Sequence, residues 1–99
     1  MDVGAIQKKI TLGDYRFSDH AIKRMIERSI ERTEVEEAIH DGAIIEEYPD
    51  DKYSPSCLIY GQKLMKRDLH IQASLSPKVV IVTTYEPDPS EWIDCRVRR

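Results

Sequence analysis

The sequence predicts an α+β domain in which two or three N-terminal helices pack on one face of a four-stranded antiparallel sheet. The change of period carries that expectation: apolar residues recur at helical spacing up to Gly42 and alternate from Ala43 onward. Length adds to it, because 99 residues can bury one core of two packed layers and no more. The chain 1–99 therefore reads as a single domain. It divides into an N-terminal helix and connector (1–17), two further helices (18–42), an antiparallel sheet (43–86) and an extended tail (87–99).

Val3, Ile6, Ile10 and Leu12 stand among polar residues and give a weak amphipathic helix ending at Gly13. After the Asp14-Tyr15-Arg16-Phe17 connector, Ser18 has the side chain to cap a stronger helix, Asp19 to Arg28. Ala21, Ile22, Met25 and Ile26 form its core-facing stripe, bordered by His20, Arg24 and Arg28 at i, i+4 and i+8. Thr33-Glu34-Val35-Glu36 is a capping box that opens a third helix. Val35, Ala38 and Ile39 turn inward there, His40 suits the C-terminal dipole, and Gly42 closes the element.

Ala43–Tyr48 reads as a strand, stopped by the turn cluster Pro49-Asp50-Asp51-Lys52. A second strand covers 56–61. In the third, 69–75, Leu69, Ile71, Ala73 and Leu75 share one face while His70, Gln72 and Ser74 share the other. Ser76-Pro77-Lys78 reverses the chain into 79–86, whose run of apolar and β-branched residues marks a central strand. Trp92 is expected to anchor the tail against the body.

Composition narrows the function classes. Hydrophobic residues at 40% and charged residues at 33% fit a folded, well-solvated chain. No apolar run approaches the roughly 18 residues that span a membrane. Met1-Asp2-Val3-Gly4 lacks the basic-then-apolar start of a signal peptide, so the expected location is cytoplasmic, with Cys57 and Cys95 reduced. No Gly-rich phosphate loop, G-x-S-x-G elbow or C-x-x-C pair occurs, and His20, His40 and His70 stand apart, so no metal or nucleotide cofactor is expected. The formal charge of -3 is an average over unlike segments. Residues 34–51 hold eight acids and no lysine or arginine, which leaves the rest of the chain with five excess positive charges.

Cleavage of RNA needs a base for the 2′-hydroxyl, an acid for the leaving 5′-oxygen, and cations for the charge growing on phosphorus. His20, Arg24, Arg28 and His70 supply those types: histidine titrates near working pH, and the arginine fork matches phosphate oxygens. Tyr60 and Tyr85 can stack bases or donate hydrogen bonds, and Lys63, Lys66 and Arg67 extend the basic side of an RNA path. The same residue types also make a solvated face, with Arg24 paired to Glu27 and Arg28 to Glu31. His20 at a helix N-terminus is better neutral, as a base or orienting group. His70 alternates away from Leu69 and Ile71, so it points to the sheet face opposite the helices, and the two histidines meet only around a sheet edge.

The segment from Ser18-Asp19-His20-Ala21 through Arg24-Met25 to Arg28-Ser29-Ile30 resembles the opening signature of the DUF4258 family, S-x-H-A-x-x-R-M-x-x-R-G-I. The likeness continues through Val35-Glu36-Glu37-Ala38-Ile39, Gly42, Ile44-Ile45-Glu46-Glu47-Tyr48, Leu69-His70-Ile71 and Val80-Ile81-Val82-Thr83-Thr84-Tyr85-Glu86-Pro87. That family is thought similar to the RelE-like toxins of the barnase/EndoU/colicin/RelE ribonuclease group. The resemblance implies the toxin half of a bacterial type II toxin–antitoxin pair. It would be a metal-independent endoribonuclease of the mRNA interferase kind, with RNA as substrate and a small zinc-finger antitoxin as partner. On the matching positions, His20 is implied as base or orienter, Arg24 and Arg28 as phosphate contacts and His70 as the second proton-transfer group. Ser29 stands where the family has glycine, and serine tolerates a positive φ less well, so the chain is expected to leave that helix differently. The contrasting expectation is a non-catalytic interaction domain whose arginine edge docks an acidic surface and whose acidic flank takes a basic partner.

Overall fold

The structure is a computed structural model that describes residues 2–52, 54–62, 67–75 and 77–99. Three helices, α1 (Val3–Thr11), α2 (Asp19–Arg28) and α3 (Arg32–His40), enclose a short strand β1 (Tyr15–Phe17). The strands β2 (Ala43–Tyr48), β3 (Ser56–Gln62), β4 (Asp68–Ser74) and β5 (Val79–Tyr85) follow, and a hairpin of β6 (Trp92–Ile93) and β7 (Val97–Arg98) ends the chain. The class is α+β, as the change of period predicts.

The sheet differs from the expected four antiparallel strands. It has five, in the order β1-β5-β4-β3-β2, and is mixed because β1 runs parallel to β5, with Tyr15 opposite Val79 and Phe17 opposite Ile81. Three residues are too few to show a period, so this strand read as a connector. It is held by the sheet edge and by its rings: Tyr15 is buried against Phe17, edge to face at 5.4 Å. The expected extended tail, 87–99, instead folds back within 92–98 as the β6–β7 hairpin.

All three helices lie on one side. Cys57, Ile59, Leu69, Ile71, Ala73, Val79 and Ile81 turn toward them and join Ile6, Ile10, Met25, Ile30, Val35, Ala38 and Ile39 in a single core. Ser18 begins α2 by accepting from the Ala21 amide, and it donates to the Val82 carbonyl at an irregularity in the β4–β5 register. The stripe expected on α2 is rotated. Ala21 and Met25 are buried, but Ile22 is 46% and Ile26 76% exposed. The contact has turned toward the arginine edge, where Arg28 donates to the Thr84 carbonyl at 3.0 Å and does not pair with Glu31. The cap of α3 also sits earlier than expected. Glu31 is its N-cap and the Glu34 carboxylate accepts the Glu31 amide, while Glu36 accepts from the Tyr15 hydroxyl at 2.6 Å.

Ser29 leaves α2 in the left-handed region, φ 54 and ψ 42, so the chain takes the glycine-type exit without the glycine. The Ile30 amide closes that exit on the Met25 carbonyl at 2.9 Å, and the Ser29 carbonyl accepts from Arg67 at 2.6 Å. A side chain in this conformation costs roughly 1 kcal/mol. Ser29→Gly should therefore stabilise the domain by about 0.5 kcal/mol after the extra freedom it gives the unfolded chain. Chemical denaturation checks this, and a lowered midpoint would contradict it.

Candidate functional site

The strand register arranges the face opposite the helices in three rows. Arg16, Val80, Ser74, Ser56 and Tyr48 lie side by side across β1, β5, β4, β3 and β2. Thr83, Gln72, Leu58 and Glu46 form the second row, and Tyr85, His70, Tyr60 and Ala43 the third. The helices leave this face uncovered, and the C-terminal hairpin covers its third row at His70.

That closure centres on His70, which is fully buried. The Trp92 ring stands perpendicular to the imidazole at 4.5 Å, and Tyr60 and Tyr85 contact it edge-on from either side. Nε2 lies 2.6 Å from the Cys95 carbonyl. A carbonyl only accepts, so Nε2 carries the proton, and in the neutral ring Nδ1 accepts from the Tyr85 hydroxyl at 3.3 Å. Burial pulls the His70 pKa below the ordinary histidine value, against the Cys95 carbonyl and Glu46, which favour the charged form. His70 is thus a neutral, fully bonded group. The hairpin is held by Arg98, whose guanidinium meets both Glu46 carboxylate oxygens at 2.9 and 3.3 Å and lies 4.5 Å over the Trp92 ring. Arg96 lies 4.8 Å over Tyr60.

The first two rows stay partly exposed except at Ser56 and Leu58, which are buried. Tyr48, Asp51, Leu58, Gln72, Tyr85 and Arg98 line a cleft of about 630 Å³. A second hollow of about 640 Å³ adjoins it through Asp51 and Gln72 and carries Arg16, Ser54, Ser74 and Lys78. Several of these groups are fixed in place. Tyr48 donates to Glu46, and burial together with that carboxylate pushes its hydroxyl up to about 12. Tyr60 donates to Asp68 at 2.7 Å, which with burial raises it likewise to about 12. Both phenols therefore stay protonated near neutral pH, as donors.

The sequence-predicted residues separate into two groups. His70, Tyr60 and Tyr85 are brought together, and Arg28 joins their edge, lining a hollow with Tyr85, Glu86, Asp88 and Glu91. His20 and Arg24 are not part of that cluster. His20 is exposed in the first turn of α2 and has no hydrogen bond or ion pair among the described residues, while Arg24 pairs with Glu27 at 2.9 Å. Lys63 and Lys66 lie outside the described residues. Arg67 is committed to structure, bridging Glu34, Glu86 and the Ser29 carbonyl.

Sequence reasoning missed Tyr48, Asp51 and Arg98. Asp51 lies in a turn cluster that signals only a chain reversal; Arg98 reaches the face only because the last residues fold back. Gln72 had a usable signal, alternating onto the same face as His70. Among the described residues no group of three or more His, Cys, Asp and Glu is placed to hold a metal ion, and no helix is long and apolar enough to cross a membrane. No curated protein and no solved structure matches the chain. A family model described as a domain of unknown function, DUF4258, matches residues 17–86.

Proposed function

This chain belongs to the DUF4258 family, and from that premise we propose that it is a metal-independent endoribonuclease acting in the open cleft of its sheet. The supporting observation is the meeting of Tyr48, Gln72, Tyr85 and Arg98 around one cleft on the face that the helices leave free. The two tyrosines give surfaces for base stacking and hydroxyl oxygens that accept hydrogen bonds, Gln72 gives an amide oxygen that can read a base edge, and Arg98, held by Glu46 through Nε and Nη2, keeps Nη1 for a phosphate contact. In this reading His70 is a positioning residue that holds the Tyr85 hydroxyl. His20, Arg24 and Arg28 form a cationic helix edge that takes flanking phosphates. The family resemblance extends the proposal to the toxin of a bacterial type II pair, RelE-like in kind, with a small zinc-finger antitoxin as partner. Attack by the 2′-hydroxyl would leave a 2′,3′-cyclic phosphate.

Expression in bacteria and incubation of purified protein with RNA test this. Wild type should arrest growth and cut RNA, and Gln72→Ala should lower the rate by about 100-fold, the scale of losing one oriented hydrogen-bonding group. Intact RNA and unaffected growth with wild type would overturn it. A second reading, a non-catalytic interaction domain, is favoured by one observation. Phe17, Ile22, Met25, Ile26 and Ile30 line an apolar hollow of about 440 Å³ on α2. It predicts capture of a protein partner with no change in RNA.

A further inference from the structure

With His70 sealed beneath the hairpin, a ribonuclease acting on this face needs its base elsewhere. Glu46 is committed to Arg98 and Tyr48. Asp51 is differently placed. Its Oδ2 accepts from the Ser56 hydroxyl at 2.7 Å and from the Gln72 amide at 3.3 Å, and Gln72 also donates to Ser56 at 3.2 Å. Ser56 is fully buried in β3, so the sheet itself anchors the carboxylate. Oδ1 has no partner among the described residues, and the residue is exposed. Asp51 also lines both hollows of the open face. One hollow has Arg98 on its wall and the other has Arg16 and Lys78, so cations stand on both sides of one anchored carboxylate.

We propose that Asp51 is the general base of RNA cleavage, placed at the junction of two nucleotide subsites, one in each hollow. This rests on the endoribonuclease reading. Oδ1 takes the proton of the 2′-hydroxyl of the nucleotide in one hollow, and the 2′-oxygen bonds to the adjacent phosphorus. The bond from phosphorus to the 5′-oxygen of the nucleotide in the other hollow breaks, and that oxygen takes a proton from water. The products are a 2′,3′-cyclic phosphate and a 5′-hydroxyl, and Asp51 returns its proton to solvent. Ser56 and Gln72 are positioning residues that hold Oδ2 and leave Oδ1 facing the substrate.

The test measures single-turnover cleavage of a short mixed-sequence RNA, and binding of its 2′-deoxy counterpart, by the full chain. Asp51→Asn should cut at least about 100-fold more slowly. It should also bind the 2′-deoxy strand as tightly as wild type or more so, because a charge that repels phosphate is gone. A carboxylate that merely repels RNA would raise binding and leave cleavage unchanged or faster. Cleavage by Asp51→Asn at the wild-type rate overturns the assignment while the ribonuclease reading stands. Wild type that leaves RNA intact overturns both. If Asp51→Asn loses its thermal transition, Asp51→Glu decides: cleavage at least about tenfold slower supports the assignment and an unchanged rate overturns it.

Discussion

Gly61→Ala is expected to cost more than about 3 kcal/mol, a large share of the ~5–15 kcal/mol that holds a small domain together. Gly61 lies on the helix-facing side of β3, opposite Leu69 of β4. A Cβ at this position would stand 1.8 Å from the Ala38 carbonyl oxygen and 2.5 Å from its carbon. These are backbone atoms in the last turn of α3, so no side chain can swing aside. The helix has to lift from the sheet, and Val35, Ala38 and Ile39, all fully buried, lose contact together. The stiffening of the unfolded chain returns at most about 1 kcal/mol. Urea denaturation checks the expectation, and a midpoint near that of wild type would refute it.

Trp92→Ala is expected to cost about 3 kcal/mol and to change how stability depends on pH. Trp92 is 2% exposed and roofs His70, so truncation removes packing and admits water to the imidazole. In the intact protein burial lowers the His70 pKa below its ordinary 6.5. The unfolded chain therefore binds a proton that the folded chain resists. The contribution is fully present above the ordinary value and is lost as pH falls through the lowered one. Wild type should lose stability across that window below about pH 6.5. The variant, with desolvation relieved, should titrate His70 closer to 6.5 and lose less there. Titration of the imidazole by NMR with melts at several pH values would show this, and an unchanged His70 pKa would refute the account of its burial.

Much of the fold was legible in local pattern. The change of period at Ala43, the Ser18 cap and the alternation of Leu69, Ile71 and Ala73 each depend on near neighbours, and each appears as read. What failed depended on distant partners. Tyr15–Phe17 is a strand because β5 offers an edge, and α2 rests on Ala21 and Met25 because Arg28 finds the Thr84 carbonyl. At the candidate site, the facing of His70 was readable but its burial was not, since its roof comes from Trp92 and Cys95 in a hairpin of two-residue strands. Two of that hairpin's residues, Asp94 and Cys95, hold positive φ with no glycine to signal the turn.

Sequence by itself determined the α+β class, the family, and which residues of β4 face each side, because side-chain direction along a strand follows from spacing alone. Only the tertiary structure decided which side-chain groups remain available for chemistry. It closed His70, committed Arg67 to Glu34 and Glu86, and set an anchored Asp51 between two open hollows. The physical reason is that availability depends on what covers and bonds a group, and those partners can lie far off along the chain, as Arg98 lies 52 residues from Glu46.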